Sequence, residues 1–380
     1  MSTLRGRWAP ALALLFVVLA FVQPVAQSTA GTLRWITLAP SFVCAACALF
    51  ASVLALMGFT RTLGQVLFVC MLAGLAAIAP LWLLAVDLVP PVDASSWRAG
   101  FWWFAAALAL LAGISVTRLA ALDAGGALGR YATPALFGAW VLVFWQLLTQ
   151  AFDVPRVLLP APSVVWHALL GAFGVLASDF TQTVLHAVLI GLATGCALGF
   201  VVGVLIDRSP FLQRGLLPLA ALASAVPLIG IAPIMVMWFG FDWHSKAAVV
   251  VIMTFFPMLV NTLAGLAESG HMERDLMRSY GASTWRTLWS LRIPVALPFV
   301  FNALKINSTL AMIGAIVAEF FGSPVSGLGF RISTEAARLN MGLVWAAILV
   351  AAVAGSALYG LLGWVERRVT FWHPSIRSGG

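Results

Sequence analysis

The sequence predicts an all-α, polytopic membrane protein of about ten transmembrane helices. Of its 380 residues, 62% are hydrophobic and only 9% are charged, whereas soluble domains carry about 25% charged residues. The mean hydropathy is +1.02. Apolar stretches of about 20 residues, the length that crosses a bilayer, recur along the chain. These observations exclude a soluble enzyme, an intrinsically disordered chain and a small disulfide-rich domain.

Ten apolar stretches are candidate spans, separated by charged or turn-forming residues such as those at 87–98. The first is preceded by Arg5 and Arg7 and followed by small residues, so a cleaved signal peptide is the alternative to a retained helix. The stretches lie at about 9–27, 36–59, 64–86, 99–118, 133–150, 182–206, 215–239, 246–266, 297–321 and 343–364.

The net charge of +8 predicts an orientation. With the N-terminus in the cytoplasm, most Lys and Arg residues fall on the cytoplasmic side, as is typical of membrane proteins. We therefore expect both termini in the cytoplasm and the chain in the bacterial inner membrane. The basic residues are scattered and form no run of five, so we expect contact with membrane lipid and no nucleic-acid partner.

The spans divide into two groups. Residues 1–130 hold four helices with few polar residues, which predicts an N-terminal membrane extension. A glycine-rich stretch at 123–130 follows and is typical of a linker. Residues 131–380 hold six helices and nearly all of the distinctive polar residues, so we expect the function to reside there.

The loop at 268–296, between the eighth and ninth spans, has the highest charge density in the chain. Its pattern predicts two short amphipathic helices, one at about 272–280 and one from an N-cap at Ser283 to about 292. Gly281 lies between them, where the chain must turn, and Pro294 is expected to end the second helix. A helix pair of this kind docks on lipid headgroups or in a groove of a soluble partner.

The loop resembles the signature of ABC importer permeases, which reads Glu-Ala-Ala, three residues, Gly, nine residues, Ile-x-Leu-Pro. Asp275 takes the place of the glutamate, Gly281 that of the glycine, and residues 291–294 that of the last four. Leu276 and Met277 depart from the two alanines. The wider sequence, over about 135–373, resembles the taurine, nitrate, sulfonate and pyrimidine-precursor branch, as seen at 158–169, 237–247 and 255–266.

The resemblance implies an all-α permease core that forms the translocation pathway for a small organic solute. That solute would be a sulfonate, a nitrate-like anion or a heterocycle of the pyrimidine or riboflavin type. It also implies an ABC ATPase subunit, a periplasmic or lipoprotein substrate-binding protein, and a homodimer. The residues implied in ATPase coupling are Asp275, Arg278, Gly281, Ala282, Ser283, Trp285, Ile293 and Pro294.

This chain has no Gly-x4-Gly-Lys-Ser/Thr loop for nucleotide phosphates. We therefore expect no cofactor and no catalytic residue in it, with ATP and Mg²⁺ held by the ATPase. The four cysteines lie in apolar stretches, and Cys44-x-x-Cys47 is best interpreted as helix packing, so no metal site is expected. The alternatives are a secondary transporter and an intramembrane enzyme, and dependence on a separate ATPase distinguishes them from a permease.

Residues within the spans give two further hypotheses. Glycines four residues apart put one smooth face on a helix, so another backbone can approach closely; they are Gly191, Gly195, Gly199 and Gly203. Proline and polar residues inside spans indicate a pathway wall, although simple kinks and structural polar groups are the alternative. The pathway candidates are Pro227, Pro233, Asn261, Asn307 and Glu319.

Overall fold

The computed structural model describes residues 8–28, 31–35, 39–85, 98–122, 127–209, 211, 228–322 and 326–372. Within these residues, seven helices are long and apolar enough to cross a membrane, which confirms the all-α polytopic class. They are Leu63–Leu81, Ala99–Ala121, Tyr131–Ala151, Phe173–Arg208, Trp243–Ala267, Thr284–Phe321 and Met341–Val369. Each overlaps one predicted span, although Phe173–Arg208 and Thr284–Phe321 begin well before the spans predicted at 182–206 and 297–321.

The first of two compact units, Met1–Val164, is a helical bundle with one small hairpin. Its helices are α1 (Trp8–Val22), α2 (Ala39–Leu56), α3 (Leu63–Ala85), α4 (Ala99–Ala121) and α5 (Ala127–Ala151). The hairpin pairs β1 (Ala26–Ser28) antiparallel with β2 (Gly31–Leu33). Large side chains of α4, among them Phe101, Phe104, Leu108 and Leu111, are fully buried in its core.

The hairpin shows that the predicted span at 9–27 was too long. α1 ends at Val22, because Pro24 has no N–H to continue the helix and the chain turns into β1 instead. This segment rests on the start of α4, where the N–H of Gly100 donates to the Pro24 carbonyl at 3.1 Å. A side chain at Gly100 would collide with that backbone, so the site requires glycine.

The boundary between the units differs from the predicted one at residue 130. α5 packs on α3 and α4, and Gln146 near its end bonds both the backbone N–H and the hydroxyl of Ser163. The contacts of α5 therefore lie within the first unit. Because hydropathy reports only that a helix is apolar, it does not say which bundle covers that helix.

The second unit, Val165–Gly380, is built around three long helices. They are α7 (Phe173–Arg208), α9 (Trp243–Ala267) and α11 (Thr284–Phe321). Shorter elements and the last long helix complete the unit: α6 (Pro162–Gly171), which begins at the boundary, α8 (Ala232–Phe239), α10 (His271–Ser279), α12 (Leu328–Ala337) and α13 (Met341–Val369). The predicted span at 215–239 lies largely outside the described residues, as does Pro227.

The glycine face of α7 lies against α9 of the same chain. A Cβ on Gly191 would come within 2.6 Å of the Val250 side chain, and one on Gly199 within 2.5 Å of the Phe255 carbonyl oxygen. Gly195 and Gly203 face the same helix. The absence of side chains on this face lets the two backbones approach closely, which favours dispersion contacts between them.

Pro294 does not end the second loop helix, so that prediction was wrong. The helix that begins at Thr284 continues through the proline to Phe321. A π-helical turn at Leu288–Arg292 precedes Pro294, and the Ile293 N–H donates to the Leu288 carbonyl five residues back. The wider turn accommodates the missing donor and the ring, a solution that is common for prolines inside membrane helices.

Candidate functional site

The loop between α9 and α11 has a sharp corner at Gly281. α10 ends at Ser279, and Gly281 has φ +70°, a left-handed conformation. Its N–H donates to the Arg278 carbonyl at 2.9 Å, and the N–H of Ala282 donates to the Met277 carbonyl at 3.0 Å. This pair of bonds is a Schellman motif, in which glycine is preferred because it has no Cβ. The predicted turn is confirmed.

The second limb of the loop begins at the predicted N-cap. The Ser283 hydroxyl accepts a hydrogen bond from the Arg286 backbone N–H at 3.2 Å, which satisfies one of the free donors of the first turn. The corner and the cap together direct the chain from α10 into α11. Both follow from local sequence, which is why they could be predicted.

Most of the surface of α10 is exposed. It contains no buried residue, and its apolar side chains include Met272, which is 83% exposed, and Tyr280 at its end, which is 82% exposed. Asp275 and Arg278 form an ion pair of 3.5 Å on the same surface. Such an exposed pair contributes little to folding. A short helix that exposes apolar and charged side chains and buries none of them is suited to a protein partner.

The second limb, in contrast, is bound to the end of α7. Arg292 forms a bidentate ion pair with Asp207, with N–O distances of 2.6 and 2.8 Å. The Arg208 guanidinium lies over the Trp285 ring, 4.4 Å from its centre. We refer to the side of the second unit that holds this contact as the loop end. The sequence gives no sign of these pairs, because their members are far apart in the chain.

The predicted coupling residues therefore fall into two sets. Asp275, Arg278 and Gly281 to Ser283 lie on the exposed corner, with Trp285 beside them. Ile293 and Pro294 are half-buried within α11, where the helix leaves the loop. The first set is mostly exposed and offers more surface to a partner, whereas the second set is partly covered by the rest of the unit.

The four predicted pathway residues that the structure describes have different surroundings. Asn307 is fully buried, and its amide donates to the Thr254 carbonyl at 2.8 Å and to the Cys196 sulfur at 3.2 Å. It thus joins α11 to α9 and α7. The Asn261 amide donates to the Pro257 carbonyl at 2.8 Å within α9. Pro233 is exposed at the start of α8, and the preceding part of its predicted span lies outside the described residues.

Glu319 lies at the far end of the unit, where α11 finishes and α12 begins. Its carboxylate accepts a hydrogen bond from the Thr183 hydroxyl at 2.7 Å and one from the Gly329 N–H at 2.6 Å. The Thr183 oxygen in turn accepts the N–H of Leu328 at 2.8 Å. Glu319 is 2% exposed. Its bond to the first turn of α12 makes it a cap of that helix N-terminus inside the protein.

A second carboxylate caps the same helix. Asp179, on α7, accepts the N–H of Gly327 at 2.8 Å and forms an ion pair with Arg331 at 2.8 Å. Nearby, the buried Lys246 ammonium donates to the carbonyls of Phe241 and Asp242. Sequence reasoning identified Glu319 but missed Asp179 and its partners. The available signal was an acidic residue close to the start of a long apolar stretch.

At the start of α9, Asp242 is the N-cap. Its carboxylate accepts the N–H of Trp243 at 2.7 Å, and this bond holds the pKa of Asp242 below its usual range. Across the described residues, no cluster of three or more His, Cys, Asp or Glu side chains is placed to hold a metal ion.

Comparisons with known proteins identify the chain. A family described as "Binding-protein-dependent transport system inner membrane component" matches residues 195–371. A "Probable ABC transporter permease protein" of Haemophilus influenzae is 30% identical over 63% of this chain and 97% of its own length. The chain belongs to this family of ABC importer permeases. The resemblance inferred from the loop is thereby confirmed.

Other relatives of this permease are named for their solutes. A formylaminopyrimidine transport permease of Halalkalibacterium halodurans is 30% identical over 63% of this chain and 95% of its own length. A riboflavin transport system permease of Chloroflexus aurantiacus is 30% identical over 62% of this chain and 88% of its own length. Permeases named for taurine and aliphatic sulfonates are also similar, at 29% and 26% identity.

Membership in this family defines the class of function. The chain is the membrane-spanning permease of an ABC transport system for a small solute, and it is not an enzyme, since ATP hydrolysis takes place in a separate ATPase subunit. The family also implies partnership with that ATPase and with a substrate-binding protein.

Proposed function

We propose that the loop from His271 to Arg292 is the coupling element of this permease and sits in a groove of the ATPase subunit. The observation that carries the proposal is that α10 contains no buried residue and ends in a hydrogen-bonded corner at Gly281. ATP and Mg²⁺ are held by the ATPase, and closure of its subunits displaces the loop. The long helices then alternate between outward-open and inward-open states.

The orientation follows from the position of the loop. Because ATP is a cytoplasmic substrate, the loop end faces the cytoplasm of a bacterial inner membrane. Arg208, Arg286, Arg367 and Arg368 lie at this end, which agrees with the excess of basic residues in cytoplasmic segments. At the far end, Arg331 and Arg338 are paired with acidic side chains. We propose the cytoplasmic side for both termini as well.

The working assembly is a homodimer with two ATPase subunits. Each chain offers one exposed loop, so two ATPases require two chains, and two-fold symmetry is the commonest closed arrangement. A periplasmic or lipoprotein binding protein delivers the solute to the far end. We propose a heterocycle of the pyrimidine or riboflavin type as that solute, ahead of a sulfonate or nitrate-like anion. The names of the relatives at 30% identity support this order.

A photo-crosslinking experiment tests the coupling proposal. A photoreactive phenylalanine analogue is placed at Tyr280, on the exposed corner, in the complex that copurifies with the ATPase. The matched control carries the analogue at Leu339, which is 60% exposed against 82% for Tyr280 and lies at the far end. We expect a crosslink to the ATPase from Tyr280 and none from Leu339. Absence of the Tyr280 crosslink in an intact complex would refute the proposal.

A further inference from the structure

We propose that Arg292 is a positioning residue that makes the coupling loop and α7 move as one body. The inference rests on the proposed function, because it assigns the route by which displacement of the loop enters the long helices. Its basis is a set of contacts at the loop end made by Arg292, Asp207 and Arg208, none of which is among the predicted coupling residues.

Arg292 connects three helices through one side chain. Besides the two bonds to Asp207 at the end of α7, its Nε and Nη2 atoms donate to the Leu266 carbonyl at 3.3 and 3.0 Å. Leu266 lies in the last turn of α9, where carbonyls have no partner within the helix. The side chains of Arg292 and Asp207 are only 17% and 10% exposed. These hydrogen bonds therefore fix the orientation of the planar guanidinium, in addition to the charge attraction between Arg292 and Asp207.

The end of α7 holds the second limb of the loop at two points. Asp207 binds Arg292 at the C-terminal end of the limb, and the neighbouring Arg208 lies over the Trp285 ring near the N-terminal end of the limb. These points lie about two helical turns apart along the limb. A segment attached at two points cannot pivot freely about either one, so the limb and the last turn of α7 share their displacement.

The two limbs of the loop thus have different partners. α10 has no buried residue and depends on another protein for cover, whereas the second limb is bound to its own chain. The first limb receives the displacement and the second transfers it to α7. α7 then transmits the displacement across the membrane. Its glycine face packs on α9, and its other end bears Asp179 and Thr183, which are bonded to α12.

The test measures solute uptake and ATP hydrolysis in vesicles that contain the complete transporter with its binding protein. Arg292→Lys keeps the positive charge but loses the bidentate hydrogen bonds of the guanidinium, and Arg292→Gln loses both the charge and these bonds. We expect each variant to retain the ATPase and the Tyr280 crosslink, while the uptake per ATP hydrolysed falls about tenfold. Arg338→Gln is the control, because it removes an exposed arginine at the far end; its ratio should stay within about twofold of the wild type.

A paired substitution addresses folding. Arg292→Gln leaves Asp207 as an uncompensated buried charge, which can destabilise the chain by itself. Asp207→Asn/Arg292→Gln removes both charges and should restore thermal stability without restoring the uptake ratio. Recovery of the ratio together with stability would show that Arg292 only stabilises the fold, and would overturn the inference.

The outcomes separate this inference from the proposed function. A normal uptake ratio in folded Arg292→Lys and in the double variant, with the Tyr280 crosslink intact, refutes the role of Arg292 and leaves the coupling loop in place. Loss of the ATPase from a folded Arg292 variant also refutes it, since Arg292 would then position the docking surface. Failure of the wild-type crosslink refutes the coupling loop itself.

Discussion

Replacing Gly281 by leucine should abolish transport while leaving membrane insertion intact. The residue has φ +70° and ends α10 in a Schellman motif. A Cβ there would meet no atom within 4 Å, so the cost of a side chain is conformational rather than steric. A non-glycine residue in the left-handed region costs about 1–2 kcal/mol, which lowers the ratio of the native corner to its alternative conformations roughly 5- to 30-fold.

This reasoning predicts a specific order among substitutions at one position. Asparagine tolerates the left-handed region far better than alanine or leucine, so Gly281→Asn should retain most of the ATPase binding, and Gly281→Ala and Gly281→Leu should lose it. The assay combines copurification of the ATPase with solute uptake in vesicles, and the yield of inserted permease is the control. If asparagine, alanine and leucine behave alike, the backbone conformation is not the cause. If Gly281→Leu binds and transports normally, Gly281 is not the corner of a coupling element.

Three further substitutions test the packing, the cap and the far end. Gly199→Ala should lower the melting temperature of the detergent-solubilised permease, because its Cβ would overlap the Phe255 carbonyl at a cost of about 1–3 kcal/mol. Gly360→Ala is the control, since a Cβ there meets open space and the melting temperature should not fall. Equal melting temperatures for the two variants would contradict the tight contact at Gly199. Ser283→Ala should cost about 1 kcal/mol of local stability through loss of the N-cap, seen as faster hydrogen exchange at 284–287; unchanged exchange would show that the cap is dispensable. Glu319→Ala should leave the buried Thr183 and Gly329 donors without an acceptor, which costs about 1–3 kcal/mol of stability and should accelerate amide hydrogen exchange at 327–330. Unchanged protection of this segment would contradict the role of Glu319 as a cap.

Features fixed by local chemistry could be predicted from the sequence. The long spans follow from hydropathy, because a helix that crosses lipid must be apolar along its length. The corner at Gly281 and the cap at Ser283 follow from rules about single residues and their immediate neighbours. The first loop helix was placed at 272–280 and is found at His271–Ser279.

Features that depend on distant partners could not be predicted. Pro294 is tolerated because a π-helical turn and the surrounding helices compensate for it, and propensity rules for isolated helices do not include that context. The roles of Glu319 and Arg292 depend on Thr183 and Asp207, which are more than 80 positions away in the chain. Without an observed fold, a buried acid in a span is equally consistent with a solute pathway and with a cap.

The bonds around α12 constrain how the second unit can open at its far end. This helix is attached to α7 through Asp179 and Thr183, and to α11 through Glu319. Separating α7 from α11 at that end would break charge-assisted bonds in a nearly dry environment, where no water replaces them at once. The far half of the second unit therefore behaves as a closed frame, so in the homodimer proposed above the solute would be exposed at that end by tilting of whole protomers rather than by parting of helices within one.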